Sequence, residues 1–149
     1  NAVYRVGCLG KISDYQKSKD GRILINLTGI TRFKILDEKI NDKLYREFKV
    51  TYEIFKRDLS REIEEINIYN LMHKTKIFFE RNGLLLNWKE FEKLDQAQKI
   101  NTLAMISPIT NEEKQKLLET VSLDEKVKTL LSIISFYLHG VSFENQTIQ

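Results

Sequence analysis

The sequence predicts an α+β fold, a curved β unit followed by a cluster of helices. Three observations predict it. Apolar residues alternate at period two through Arg5–Leu36 and again at Phe48, Val50 and Tyr52. Near Phe55 the spacing changes to the 3.6-residue period of a helix. Caps and stops then punctuate the chain as far as Gly140. The one boundary falls near Phe55, giving a β lobe over 1–54, a helical bundle over 55–140 and a tail over 141–149.

In the first stretch, Val6, Cys8 and Ile12 share one parity, as do Ile23, Ile25 and Leu27. That is the pattern of half-buried strands, so these residues are expected in the core. Asp20-Gly21 between them is the preferred pair for a tight turn with positive φ. Gly7, Gly10 and Gly29 interrupt the strands, and strand glycines mark bulges, bends or close backbone approach. The sheet is therefore expected to curve, as in a small barrel. Asp37–Lys43 reads as a loop, and Phe48, Val50 and Tyr52 as a further strand.

Leu59, Ile63, Ile66, Asn70, His73 and Ile77 then lie along one side of a helix. Asp58 is its expected N-cap, Glu62, Glu64 and Glu65 suit its positive end, and Asn82-Gly83 stops it. Ile68, Met72 and Phe79 form a second stripe, so this helix is expected at the centre of the bundle. Asn87 caps a short helix starting at Trp88, and Asp95–Ser107 follows, ended by Pro108. Thr110–Glu113 and Ser122–Glu125 match capping boxes. The last helix buries Val127, Leu130, Leu131, Ile134 and Leu138 and stops at Gly140, with a frayed tail after it.

Composition bounds the function. The chain of 149 residues carries 24 basic and 21 acidic side chains, net +3, well interleaved. Such a mild balance demands no polyanionic partner. The 42% hydrophobic and 30% charged content is that of a globular protein. The longest apolar stretch, Leu130–Leu138, is too short to span a bilayer. Cys8 is the lone cysteine, so no internal disulfide forms, which fits a reducing cytoplasm. There is no signal peptide and no initiator Met, so the chain reads as a piece whose true beginning is missing.

No catalytic constellation emerges. Gly7-Cys-Leu-Gly10-Lys11 lacks the first glycine and the final Ser/Thr of a phosphate loop. Cys8 reads as buried core rather than a nucleophile, since its parity is that of Val6 and Ile12. His73 reads as a hydrogen-bonded core histidine, and His139 as a cation at a helix C-terminus. Together with Cys8 they have no zinc-ligand spacing, so no metal and no cofactor is expected. Lys17, Lys19 and Arg22 flank Tyr15 at the hairpin tip, a combination that RNA-binding surfaces use, but Asp14 and Asp20 dilute the charge. RNA binding is thus the alternative rather than the leading reading. The candidate binding residues are Tyr15, Arg32, Phe33, Trp88 and Phe91, apolar or cationic side chains near turns and short helices. Phe33 is expected to line a cleft between the lobes.

Gly7-Cys8-Leu9-Gly10-Lys11-Ile12, Asp20-Gly21-Arg22 and Leu27-Thr28-Gly29-Ile30-Thr31-Arg32-Phe33 resemble the Lon protease N-terminal, substrate-binding domain family. The likeness is strongest to stand-alone bacterial proteins that carry this domain without a protease. It extends through Tyr45-Arg46, Val50, Asp58-Leu59, Asn87-Trp88, Asn101–Met105, Ser107-Pro108 and Glu113–Glu119. The resemblance implies a PUA-like barrel followed by a helical bundle. It also implies a non-catalytic module, bacterial and cytoplasmic, that binds unfolded or tagged polypeptide in protein quality control. Such a module would serve as substrate recognition or adaptor for proteolysis, with a protease or chaperone as a further partner. The ATPase and Ser-Lys peptidase domains of full Lon proteases have no match here, so neither activity is carried over. Family members open with a Pro- and Phe-rich strand, a helix and a further strand before the Gly-Cys-Leu-Gly run. Without them the barrel is expected to be incomplete, leaving an exposed sheet edge open to homodimer formation.

Overall fold

The structure, a computed structural model, describes residues 2–60 and 66–144. The chain divides into two compact units, Asn1–Glu62 and Ile63–Gln149. The fold is α+β, a three-stranded antiparallel sheet and several helices.

In the first unit, β1 (Val6–Lys17), β2 (Ile23–Lys39) and β3 (Glu47–Thr51) are ordered β1-β2-β3. The tip of the first hairpin turns as its Asp-Gly pair requires. Gly21 has φ +84°, its N–H donates to the Ser18 carbonyl at 3.1 Å, and Asp20 Oδ1 accepts from the Arg22 N–H. β2 continues through Asp37–Lys39, where a loop was expected, because these residues pair with β3. Beyond the ladder Arg46 donates two hydrogen bonds to Glu38. Those bonds hold the Glu38 carboxyl below the usual range.

The burial expected of this sheet is only partly met. Val6, Thr31 and Ile35 are buried, whereas Cys8, Ile12, Ile23, Ile25 and Leu27 are exposed. Their parity is as read, but no described residue covers the face they share. At the other end a 3-10 turn, η1 (Glu53–Leu59), packs against β2 and buries Phe55. Among the described residues, this turn and the non-helical residues 66–68 stand where the first part of the helix from Asp58 was expected. The Asp58 carboxylate is taken by Arg32. Ile63 and the expected charge partners Glu62, Glu64 and Glu65 fall outside the described residues.

Gly7 is required by close approach. A Cβ there would lie 2.6 Å from Phe33 Cζ on the cross-strand neighbour. Gly7→Ala is expected to lower stability by about 1–3 kcal/mol by overpacking. A thermal melt checks it, and an unchanged midpoint would show that the ring swings aside freely.

The second unit holds α1 (Tyr69–Arg81), α2 (Trp88–Glu92), α3 (Gln96–Ile106), α4 (Asn111–Glu119) and α5 (Leu123–Glu144). Its ends are set by short-range chemistry. Gly83, at φ +65°, closes α1, and the Leu84 N–H reaches back to the Phe79 carbonyl. Asn87, Asp95 and Thr110 each accept a backbone N–H at an N-terminus, the latter two in complete capping boxes. At α5 the Ser122 hydroxyl accepts from the Glu125 N–H, but the Glu125 carboxylate reaches the Val121 N–H instead of its own cap.

The core joins Leu71, Phe78, Phe79, Phe91, Ile100, Leu103, Leu117, Leu130 and Ile134. α5 packs against α1, α3 and α4, so it, and not α1, occupies the centre. Its serine-broken apolar run offers buried Val127, Leu130, Ile133 and Ile134 to its neighbours. It also runs through Gly140 to Glu144, past the expected stop. A helical glycine costs only about 1 kcal/mol against alanine, too little to end a helix held by packing. Residues 145–149 of the expected tail lie outside the described residues. The Tyr137 hydroxyl donates to Glu113 at 2.9 Å, which fastens α5 to the first turn of α4. That bond holds the phenol above its ordinary range.

Candidate functional site

The register of β1 on β2 contains two offset irregularities. β2 carries an extra residue at Ile30 and β1 an extra residue at Ser13. The second one matters most. Ile12 and Tyr15 are three apart, which in a regular strand would put them on opposite faces. With Ser13 bulged, Ile12 pairs with Leu27 and Tyr15 with Ile25, and Leu27 and Ile25 are two apart. All four therefore share one face, and Ile23, opposite Lys17, joins them.

The result is an apolar ladder of Ile12, Tyr15, Ile23, Ile25 and Leu27. Their exposure runs from 44% at Ile25 to 71% at Tyr15. Gly10 and Gly29, directly opposite each other, leave a notch at its inner end. The other face of the same hairpin presents Lys11, Asp14, Gln16, Asn26 and Thr28, with Leu24 as an exposed apolar residue opposite Gln16. The hairpin is thus largely amphipathic, with both faces exposed among the described residues. A contiguous apolar surface of this kind usually marks an interaction site.

Arg32 lies on the apolar face beyond the glycine notch, opposite Cys8. It is not free to meet a ligand charge. Asp58 accepts from its Nη2 at 2.6 Å, its Nε at 2.9 Å and its backbone N–H at 2.9 Å. The guanidinium also sits 4.3 Å from the centre of the Phe55 ring. Arg32 therefore anchors the base of the hairpin.

The remaining expected site residues are placed apart from this face. Phe33 is half-buried on the opposite side of the sheet, edge-on to Tyr52. Trp88 and Phe91 belong to the second unit. Phe91 is buried in the helical core, and Trp88 packs half-buried against Phe79 and Phe91 with Lys76 above its ring.

Cys8 is exposed, contrary to its expected burial, because the face it occupies is uncovered. His73 is exposed on α1, not a core histidine, since Leu71, Thr75, Phe78 and Phe79 define the buried side of that helix. His139 lies within α5, its Nδ1 2.6 Å from the Ser135 carbonyl, rather than beside a helix end. Among the described residues no group of three or more His, Cys, Asp or Glu is placed to hold a metal. A shallow depression along α3, lined by Leu94, Gln98, Asn101, Thr102 and Met105, has no ionisable lining. No helix among the described residues is long and apolar enough to cross a membrane.

Comparison with known proteins decides the family. The family model of the ATP-dependent protease La (LON) substrate-binding domain matches residues 1–135. The chain belongs to this family. A curated relative, Lon protease of Brevibacillus choshinensis, is 27% identical over 141 residues. That match takes in 89% of this chain and 17% of the Lon protease, so the chain corresponds to a small part of that protein. Two solved structures share the Lon N-terminal fold. One is a Lon N-terminal domain protein from Xanthomonas campestris, with TM-score 0.62 and 18% identity, covering 87% of this chain and 68% of that one. The other is the N-terminal domain of the Mycobacterium avium complex Lon protease, with TM-score 0.60 and 20% identity, covering 88% and 70%.

Within this Lon substrate-binding domain, Ile12, Ile23, Ile25 and Leu27 are the site candidates that the sequence reading placed in the core. A signal for the shared face was present. Apolar residues at 12 and 15 face 27 and 25 only if one strand carries an extra residue between them. Exposure left no such trace, because an uncovered face and a buried one have the same parity.

Proposed function

We propose that this Lon substrate-binding domain is a non-catalytic, cytoplasmic module that holds apolar segments of unfolded or extended polypeptide on the open face of the β1–β2 hairpin. In that role it acts as a recognition or adaptor element for proteolysis, handing the segment to a protease or chaperone. The observation that carries the reading is the exposed ladder of Ile12, Tyr15, Ile23, Ile25 and Leu27. Family membership supports it, since the matched family is described as substrate-binding. An unfolded segment supplies what such a face lacks, apolar side chains without a tertiary structure of their own to give up. A second copy joined along the β1 edge is the less favoured occupant. The Ser13 bulge and the charges of Lys11, Asp14 and Lys17 blunt that edge against pairing.

The test is binding of a labelled, permanently unfolded protein. Ile25→Asp/Leu27→Asp is expected to weaken it at least about tenfold, as loss of two buried aliphatic contacts would. The melting point should stay nearly unchanged, because both side chains are exposed. Binding should hold or strengthen in sulfate. Steep loss with rising salt, together with capture of RNA, would transfer the role to nucleic acid.

A further inference from the structure

The charges around the apolar face are one-sided. Lys17 shares the face at the tip end, opposite Ile23, and Lys19 stands in the adjoining turn. Lys34 shares the face at the other end, opposite Val6. All three are exposed, and no described carboxylate forms an ion pair with any of them. The other charges nearby cancel. Arg32 is held by Asp58 and Arg22 lies 3.4 Å from Asp20. Asp37 stands opposite Lys49 across the ladder, and Glu47, opposite Lys39, is ion-paired with Lys43. The apolar ladder therefore has Lys17 and Lys19 at one end and Lys34 at the other, while the exposed Asp14 lies on the opposite face of the hairpin.

Ten steps of the β1–β2 ladder separate the Lys34 row from the Lys17 row, a span of about 30 Å and thus about nine or ten residues of extended chain. We propose that the polypeptides taken by this face are apolar stretches flanked on both sides by Asp or Glu, with Lys17 and Lys19 meeting one flank and Lys34 the other. This rests on the functional reading above and names the chemistry of its substrate. It also explains why a second copy is a poor occupant. Laying the same face of another chain on this one in antiparallel fashion brings the lysine ends together. Exposed ion pairs are individually weak and screened by salt, so the flanks tune selection while the apolar middle supplies the attachment.

The experiment uses the whole chain and three synthetic peptides with one apolar core, flanked by serine, aspartate or lysine, with binding read by fluorescence anisotropy. At low salt the aspartate-flanked peptide is expected to bind about three- to tenfold more tightly than the serine-flanked one, and the lysine-flanked one more weakly than either. At about 0.5 M salt the three should converge, the Debye length there being only about 4–5 Å. Lys17→Glu/Lys34→Glu should reverse the order without moving the melting point. Equal binding of the three peptides at low salt, or a preference that survives the double reversal, would overturn the proposal while leaving polypeptide capture intact. Failure of every peptide, the serine-flanked one included, would remove the capture reading itself and this proposal with it. An acidic peptide without the apolar core binding as well, or single-stranded RNA displacing the aspartate-flanked peptide at equal concentration, would also overturn it.

Discussion

Asp58→Ala is expected to lower the stability of the sheet unit by about 2–4 kcal/mol. Exposed ion pairs are worth about 0–1 kcal/mol, and this pair is not of that kind. The side chains of Arg32 and Asp58 are 11% and 19% exposed. One carboxylate serves the Arg32 guanidinium through Nε and Nη2 and also its backbone N–H. Removing it takes three hydrogen bonds from Arg32 at once, one of them from its backbone N–H, and breaking a largely buried pair in this way is costly. The control is Arg32→Met/Asp58→Leu, which removes both charges and should recover most of the loss. Urea unfolding followed by tyrosine fluorescence measures both. A loss below about 1 kcal/mol in the single variant would class the pair with surface ones.

Phe79→Ala is expected to cost about 3–5 kcal/mol in the helical unit. The ring is 2% exposed, with its centroid 6.3 Å from that of Phe78 and 6.2 Å from that of Trp88. Its removal opens a cavity walled by helices whose ends are fixed by caps, so collapse to fill it is limited. Phe136→Ala is the comparison. That side chain is 72% exposed and should move stability by no more than about 0.5 kcal/mol. Trp88, the chain's one tryptophan, reports the transition directly because it stacks in the affected cluster. Similar losses for the two variants would mean that Phe79 is not a core residue in solution.

What was legible in the sequence was local. The Asp20-Gly21 turn, the Asn82-Gly83 stop and the caps at Asn87 and Thr110 each depend on residues within about four positions, and each is found where the spacing put it. The α+β class and the family were legible too, since periodicity and motif order extend over most of the chain.

What was not legible depended on partners distant in sequence. An aspartate that caps a helix and one that binds an arginine 26 residues away are the same residue type, so Asp58 read as a cap. Cys8 and His73 sat on apolar stripes, and a stripe does not announce whether anything covers it. Of the candidate site, Tyr15 was named and lies on the apolar face, but the aliphatic residues beside it read as core. The bulge at Ser13 that unites them has no composition signal of its own.

The placement of the ladder outside any core has an evolutionary corollary. Exchanging one aliphatic residue for another at Ile12, Ile23 or Leu27 disturbs no packed neighbour, so such changes are close to neutral for folding. Selection can therefore retune what this surface prefers one residue at a time. Under the proposed role, drift there is screened by polypeptide binding rather than by the survival of the fold, and lineages presenting different polypeptides are free to diverge first at these positions.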